Sequence, residues 1–466
     1  MTKTSSDKLS IGTKCGYGFA AIGDAMGYTL PGTYLLFFLT TVAGIQPAMA
    51  GTITVIAAVW NALLNPIAGY ISDHFVSRFG RRRPFMFVST FPLIGAIILL
   101  FTAVELTDTL KTIYYCLVAM AFWTAFTSFF IPFYALGAEY TENYDERTSL
   151  RSFASIFNII GTLLGMAMPP IVVDELERQG FETDTSWTIT AALVGVITGA
   201  SILVTVLSSK DYDINVYSKD ESNNGKISIK GLCRDYVSIL KLKPTKYILI
   251  ACLCSLIAYT MIMSDFVYYL TYKVGLTGTQ ISIAMAFRCC VGICLIPLAL
   301  NLCKKSDNRT AMITIFMVAS VCMVMERFIG VYGLFTLGLF IIITCFATGL
   351  YWQIMPAIVY ELCAYDEYET GMKREGSVVS VQGLVEGIAE GLGAQILGII
   401  LQIAGFDGDA AVQSDTTMRW IVNCTTWVPV ILLVISIIAL YKYPITRQKF
   451  KAIQTLLDER KNSEHK

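Results

Sequence analysis

Twelve apolar runs, each long enough to cross a bilayer, govern what this 466-residue sequence can become. A spanning helix needs roughly 20 mainly apolar residues. The runs are Tyr17 to Val42, Ala50 to Ser72, Pro84 to Ala103, Ile113 to Leu136, Arg151 to Val173, Trp187 to Leu207, Tyr247 to Tyr272, Gln280 to Leu302, Ala311 to Phe328, Tyr332 to Cys363, Ser377 to Ala404 and Arg419 to Tyr441. Short polar turns part them, except for one long polar stretch, Ser208 to Lys246, which carries SKDESNNGK. Within lipid the backbone must satisfy its own hydrogen bonds, so these runs fold as helices. The expected fold is all-α, with 12 transmembrane helices in two six-helix bundles over residues 1–207 and 247–442, a linker over 208–246 and a tail over 443–466.

Charged residues make up only 15% of the chain and the mean hydropathy is +0.60, whereas soluble domains carry about 25% charged residues. Net charge is zero, so no field draws in nucleic acid. With the N-terminus inside, most of the 35 Lys and Arg fall in inside segments, while the outside loops DELERQGFETD and GFDGDAAVQSD are acidic. Both termini and the linker are therefore expected to be cytoplasmic. Met1 to Lys14 is polar and basic, and no cleavable leader is expected. The tail reads either as a basic amphipathic helix on the membrane surface or as a solvated segment. The 13 cysteines show no zinc or haem spacing and read as apolar packing residues.

The segment WNALLNPIAGYISDHFVSRFGRRRPF, Trp60 to Phe85, says most about function. Its first half places Asn61 and Asn65 one turn apart in an apolar helix. Polar groups at that depth are costly and mark functional or packing sites. Its second half is a knot of Arg78, Arg81, Arg82 and Arg83. Arginines at a helix end pair with neighbouring carboxylates and helix C-termini. Asp73 and Arg83 are candidate members of such a latch, with Arg81, Arg82, Glu139 and Glu142 beside them, and with Glu361 and Arg374 in the second half.

Six plus six helices with a central linker is the plan of the major facilitator superfamily, in which two halves rock about a midplane site. Five motifs make the resemblance narrower: SDHFVSRFGRRRPF, ELCAYDEYETGMKREG (Glu361 to Gly376), IPFYAL (Ile131 to Leu136), RSFASIFNIIG from Arg151, and the pair Gly23–Asp24. In this order they resemble the glycoside-pentoside-hexuronide:cation symporters, and GRRRPF is also similar to the sucrose transporters. The resemblance implies a bacterial plasma (inner) membrane protein that imports a sugar-type solute, and a latch favouring the outward-facing state.

The resemblance also implies site residues. Asp24 matches an acidic residue that binds sugar hydroxyls, and Arg151 an arginine at the sugar site; pairing of the two would neutralise both. A carboxylate accepts two hydroxyls at once, and flat rings pack on the apolar face of a pyranose. Tyr28, Trp123, Tyr134 and Trp352 are the aromatic candidates. Thr127, Gln382, Asn61 and Asn65 are the polar ones. Tyr134 stands where the melibiose permease has a tryptophan.

The departures bear on the ion. Asn61 and Asn65 stand where that sodium-coupled relative has aspartates, and Phe130 where it has a third. Two amides and a phenyl ring supply no compensating charge for a hard cation, so a sodium site of that kind is not expected. Glu386 and Glu390 lie one turn apart in the eleventh span, beside a ridge of Gly383, Gly387 and Gly391. Two close carboxylates repel in a low dielectric, so one tends to hold a proton. Asp24 and Asp265 join them as cation-coupling candidates, and Asp265 with Arg288 forms an expected buried pair.

The leading reading is therefore a proton-coupled importer of a sugar or glycoside, with hexuronides included. The alternatives are a carrier of a lipid-like amphiphile, a sugar uniporter, or a sensor on a transporter fold, for which the linker is short. An enzyme is not expected, since no nucleophile–base motif is present and His74 and His465 are the two histidines. The expected partners are the solute and the bilayer, the protein is expected to be a monomer, and no cofactor or metal is expected beyond a co-transported proton.

Overall fold

A computed structural model describes residues 8–74, 77, 79–141, 143–210, 236–371, 374–410 and 412–464. Among the described residues the first half comprises α1 (Ile11–Gly18), α2 (Ala20–Thr41), α3 (Pro47–His74), α4 (Arg83–Leu100), α5 (Asp108–Glu139), α6 (Tyr144–Arg178) and α7 (Thr183–Ser208). The second half comprises α8 (Lys243–Tyr268), α9 (Gly278–Lys305), α10 (Asn308–Ile329), α11 (Leu334–Gly349), α12 (Tyr351–Thr370), α13 (Glu375–Ile403), α14 (Asp415–Thr425), α15 (Trp427–Lys442) and α16 (Arg447–Glu464). Starts are set by side-chain caps: Ser10 Oγ accepts from Thr13 N, Asn143 Oδ1 from Asp145 N, and Asp307 Oδ1 from Thr310 N, at 2.9 to 3.1 Å.

Among the described residues eleven helical stretches are long and apolar enough to cross a membrane. The twelfth span is α2, whose hydropathy is diluted by Gly23, Asp24, Gly27, Thr29, Pro31, Gly32 and Thr33. Two runs that look continuous in sequence are broken helices. The tenth span parts at Leu350 between α11 and α12, and the last at Thr426 (φ −122°, ψ −82°) between α14 and α15. The seventh passes from α8 into a π-helical turn, Tyr269–Val274, which ends at Gly275 in the left-handed region (φ +74°).

By their contacts the described residues fall into two compact units. One lies within Met1–Ser218, Phe266–Ala286 and Ala394–Met418, the other within Lys219–Asp265, Phe287–Gly393 and Arg419–Lys466. In the first, α2 packs on α6 and α7. Small residues allow the approach, as expected between membrane helices: a side chain at Gly161 would meet the Ile22 carbonyl at 2.5 Å. In the second, the close approach on α13 is at Gly393, where a side chain would meet the Ile257 carbonyl at 2.9 Å. Gly383, one end of the expected ridge, faces open space instead.

The tail is helical, as the first of the two readings expects, and one face of it packs on the protein. It forms α16, whose apolar residues Ile453 and Leu457 are buried. It packs on α12, with Lys449 Nζ 5.4 Å from the centroid of the Tyr365 ring. An amphipathic face needs an apolar cover, and the end of α12 supplies it.

Candidate functional site

Asp24 sits in the second turn of α2, 5% exposed. Tyr134 Oη donates to its Oδ2 at 3.3 Å, and Asn158 Nδ2 donates to the same oxygen at 3.4 Å. Both bonds are long, and among the described residues no donor reaches Oδ1. Arg151 does not pair with Asp24 directly. Its guanidinium lies over the Tyr134 ring, 4.7 Å from the centroid, a cation–π contact. Tyr134 thus stands between the two, with its hydroxyl on the acid and its ring face on the base. Tyr28, one turn along from Asp24, meets Trp123 edge-on at 6.1 Å, and Tyr28 and Tyr134 are 38% and 37% exposed. The cluster is a carboxylate with one open oxygen, framed by accessible rings and an exposed arginine.

Asn158 was not among the expected residues. The signal was in the sequence, because it lies seven residues after Arg151 on α6 and so shares its helix face. Asn61 is engaged between helices: Thr127 Oγ1 donates to its Oδ1 at 2.8 Å, and Trp60 Nε1 donates to Thr124 Oγ1 at 2.9 Å. These bonds tie α3 to α5. Asn65 is exposed. Phe130 stacks on Phe126 at 5.8 Å and lies 4.6 Å from the Tyr134 ring. Among the described residues no three His, Cys, Asp or Glu stand close enough to hold a metal ion.

The second unit repeats the carboxylate arrangement. Tyr351 Oη donates to Glu386 Oε1 at 3.0 Å and Gln382 Nε2 donates to the same oxygen at 2.8 Å. The Tyr351 hydroxyl also contacts Cys252 Sγ at 2.9 Å. Here too a phenol and a carboxamide share one oxygen and leave the other. Trp352, 38% exposed, meets the rings of Tyr351 and Tyr259 edge-on. Glu390 follows one turn later, partly buried. The expected Asp265–Arg288 pair does not form. Arg288 donates to Thr344 Oγ1 at 2.9 Å and Thr348 Oγ1 at 3.1 Å, because two hydroxyls one turn apart on α11 match the spacing of its nitrogens. Both oxygens of Asp265 are buried without a hydrogen-bond partner.

At the arginine loop, Arg81 Nη2 donates to Glu139 Oε1 at 2.6 Å and Arg82 Nε to the same oxygen at 3.2 Å. Arg82 Nη1 also reaches Ser72 Oγ at 2.8 Å. Arg83 donates to the Val206 carbonyl near the C-terminus of α7 at 2.7 Å and to the Phe79 carbonyl at 3.2 Å, a helix-end partner of the kind the sequence predicts. Arg78, Glu142 and the side chain of Asp73 lie outside the described residues. The second half has the same plan with different residues. Asn308 Nδ2 donates to Glu361 Oε1 at 2.8 Å, and Arg309 Nη1 to the Tyr443 carbonyl, just past α15, at 2.6 Å. Arg374 forms a two-bond fork with Asp366, both bonds 2.7 Å.

The sequence profile of the MFS/sugar transport protein family matches residues 16–447. The uncharacterized symporter YnaJ of Bacillus subtilis (strain 168) is 24% identical, covering 97% of this chain and 96% of its own. The glucuronide carrier protein homolog of Escherichia coli (strain K12) is 22% identical over 98% and 97%. A crystal structure of a bacterial homolog of the human lysosomal transporter Spinster shares the fold, with a TM-score of 0.68 and 14% identity over 96% of this chain and 97% of that one.

Proposed function

The chain belongs to the MFS/sugar transport protein family, and from that premise we propose that it imports a sugar or glycoside by proton symport through alternating access. The observation that carries this reading is Asp24. One of its oxygens is held by Tyr134 and Asn158, and the other is left to accept substrate hydroxyls. Tyr28, Trp123 and Tyr134 offer ring faces for the apolar side of a pyranose. Arg151, exposed beside Tyr134, suits the carboxylate of a hexuronide, and the glucuronide carrier homolog is a relative whose name points the same way.

Proton coupling is supported by what the helices lack and what they hold. Asn61 spends its amide oxygen on Thr127, and Phe130 offers no oxygen, so a cation would find few ligands there. Glu386, Glu390, Asp24 and Asp265 are carboxyls able to carry a proton across a low-dielectric interior. Both termini face the cytoplasm by the charge bias of the loops, which puts the arginine loop and its mirror on the inner side as gates.

The test is a thermal-shift screen of the purified protein over sugars, glycosides and uronic acids, since a specific ligand stabilises the fold by mass action. Uptake into proteoliposomes with the best ligand follows. A ligand that shifts the wild type and not Asp24→Asn supports the site. A shift retained in full by both Asp24→Asn and Arg151→Ala rejects it.

A further inference from the structure

Asp265 lies near the end of α8, with no exposed surface and both carboxyl oxygens free of hydrogen bonds. An ionised carboxylate in such a place is far costlier than a neutral acid. Among the described residues no basic side chain pairs with it. The nearest arginine expected to do so, Arg288, turns to Thr344 and Thr348 on α11. Among the described residues, the titratable group close enough on a neighbouring helix to feel its charge is the buried thiol of Cys424, in the last turn of α14. A thiol is a weak donor and a poor ligand for hard cations, so the surroundings suit a proton and not a sodium ion.

Two irregular stretches of backbone flank the group. Four residues after Asp265 the helix enters the π-helical turn Tyr269–Val274, and two residues after Cys424 the last span breaks at Thr426. Turns of this kind and interrupted helices are where membrane carriers rearrange around their sites. We propose that Asp265 carries a proton in the transport cycle: it is neutral in this conformation and releases the proton to water when the backbone at these two breaks rearranges. This rests on the reading of the chain as a coupled transporter, and among its four carboxyl candidates it singles out the one with no exposed surface and no hydrogen bond among the described residues.

Infrared difference spectra of wild-type and Asp265→Asn protein at neutral pH test the protonation without any substrate. A protonated-carboxyl carbonyl band present in the wild type and missing in the variant is expected, and spectra without that difference overturn the proposal. If Asp265→Asn does not insert, Asp265→Glu keeps an acid at the site and displaces its carbonyl, which should shift the band; an unmoved band rejects the assignment. Proteoliposomes with phenyl β-glucuronide as probe test the coupling. One proton per solute lets a gradient of one pH unit support about tenfold accumulation. Asp265→Asn should lose that accumulation and keep equilibrium counterflow, and accumulation equal to the wild type overturns the coupling role. A wild type that moves no glucuronide removes the substrate reading alone, and the infrared arm then decides whether Asp265 holds the proton.

Discussion

The Tyr134 hydroxyl donates to Oδ2 of Asp24 at 3.3 Å, and no donor to Oδ1 is present among the described residues. On the proposed function, one oxygen positions the group and the other takes the ligand. Asp24→Asn turns a two-acceptor carboxylate into an amide, and a hydrogen bond to a charged group is worth about 1.5–3 kcal/mol. Affinity for the screened ligand should therefore fall by roughly one to two orders of magnitude. Tyr134→Phe keeps the ring under Arg151 and removes the hydroxyl, so its loss should be smaller, about tenfold or less. Calorimetric titration of the two variants checks the ranking, and an equal loss in both would place the ring contact above the carboxylate.

Glu139 holds Arg81 and Arg82 through one oxygen, with Arg82 largely buried. Breaking such a pair by removing one partner leaves an uncompensated charge and costs about 3–5 kcal/mol when burial is complete. The Glu139 side chain is 18% exposed, so Glu139→Gln should cost less than that full figure. Thermal unfolding of the variant should still fall by several degrees. If the pair also holds a gate, Cys15, two residues before the Tyr17 ring that packs on Tyr140, should become more reactive to alkylation at native temperature. A variant with wild-type stability and reactivity leaves the arginines as topology signals only.

The paired contacts Arg83–Val206 and Arg309–Tyr443 show what a sequence makes visible and what it hides. The arginine knot announced the first, because four basic residues beside an apolar run stand out. The second rests on one amide and one arginine in KKSDNRT, which do not stand out as a counterpart, although its bonds reach equivalent places, an acid late in the fourth span of its half and the end of the sixth. Asp24 was legible for the same reason as the knot: a carboxylate among apolar residues. The helix breaks at Leu350 and Thr426 were not, since apolar composition runs straight through both. Arg288 was assigned to Asp265 because spacing cannot rank a carboxylate against two threonine hydroxyls that the fold brings closer.

By that logic Arg83→Ala and Arg309→Ala should behave alike. Each leaves the carbonyls at a helix end without a charged donor, a loss of roughly 1–2 kcal/mol per site. The double variant should show the sum, because the bonds lie in separate units with no shared partner. Chemical or thermal unfolding of the three variants checks the additivity.

Gly161 makes a sharper test of the first unit, because a side chain there would meet the Ile22 carbonyl at 2.5 Å, backbone against backbone. Ile22 precedes Asp24 by two residues, so forcing α2 from α6 also moves Asp24 relative to Asn158. Gly161→Ala should therefore weaken ligand binding along with stability, with overpacking costing about 1–3 kcal/mol. Retained affinity in a destabilised protein would separate packing from the site.

The proposed choice of ion turns on how the polar groups on α3 and α5 are engaged. Thr127 is 2% exposed and donates to Asn61, so both are committed to each other. Phe130 fills the next position on α5 with a ring stacked on Phe126. A sodium ion bound here would have to take the Asn61 oxygen from Thr127 and would gain no negative charge in return, against its need for several oxygens and a compensating carboxylate. Replacing sodium with potassium or choline should leave uptake unchanged, while a protonophore should abolish accumulation. Asn61→Asp tests the same geometry from the other side. A new carboxylate facing a buried threonine and a phenyl ring lacks the remaining ligands, so it should reduce uptake without creating sodium dependence. Sodium-stimulated uptake by the wild type, or by that single variant, would show that oxygen ligands converge there after all.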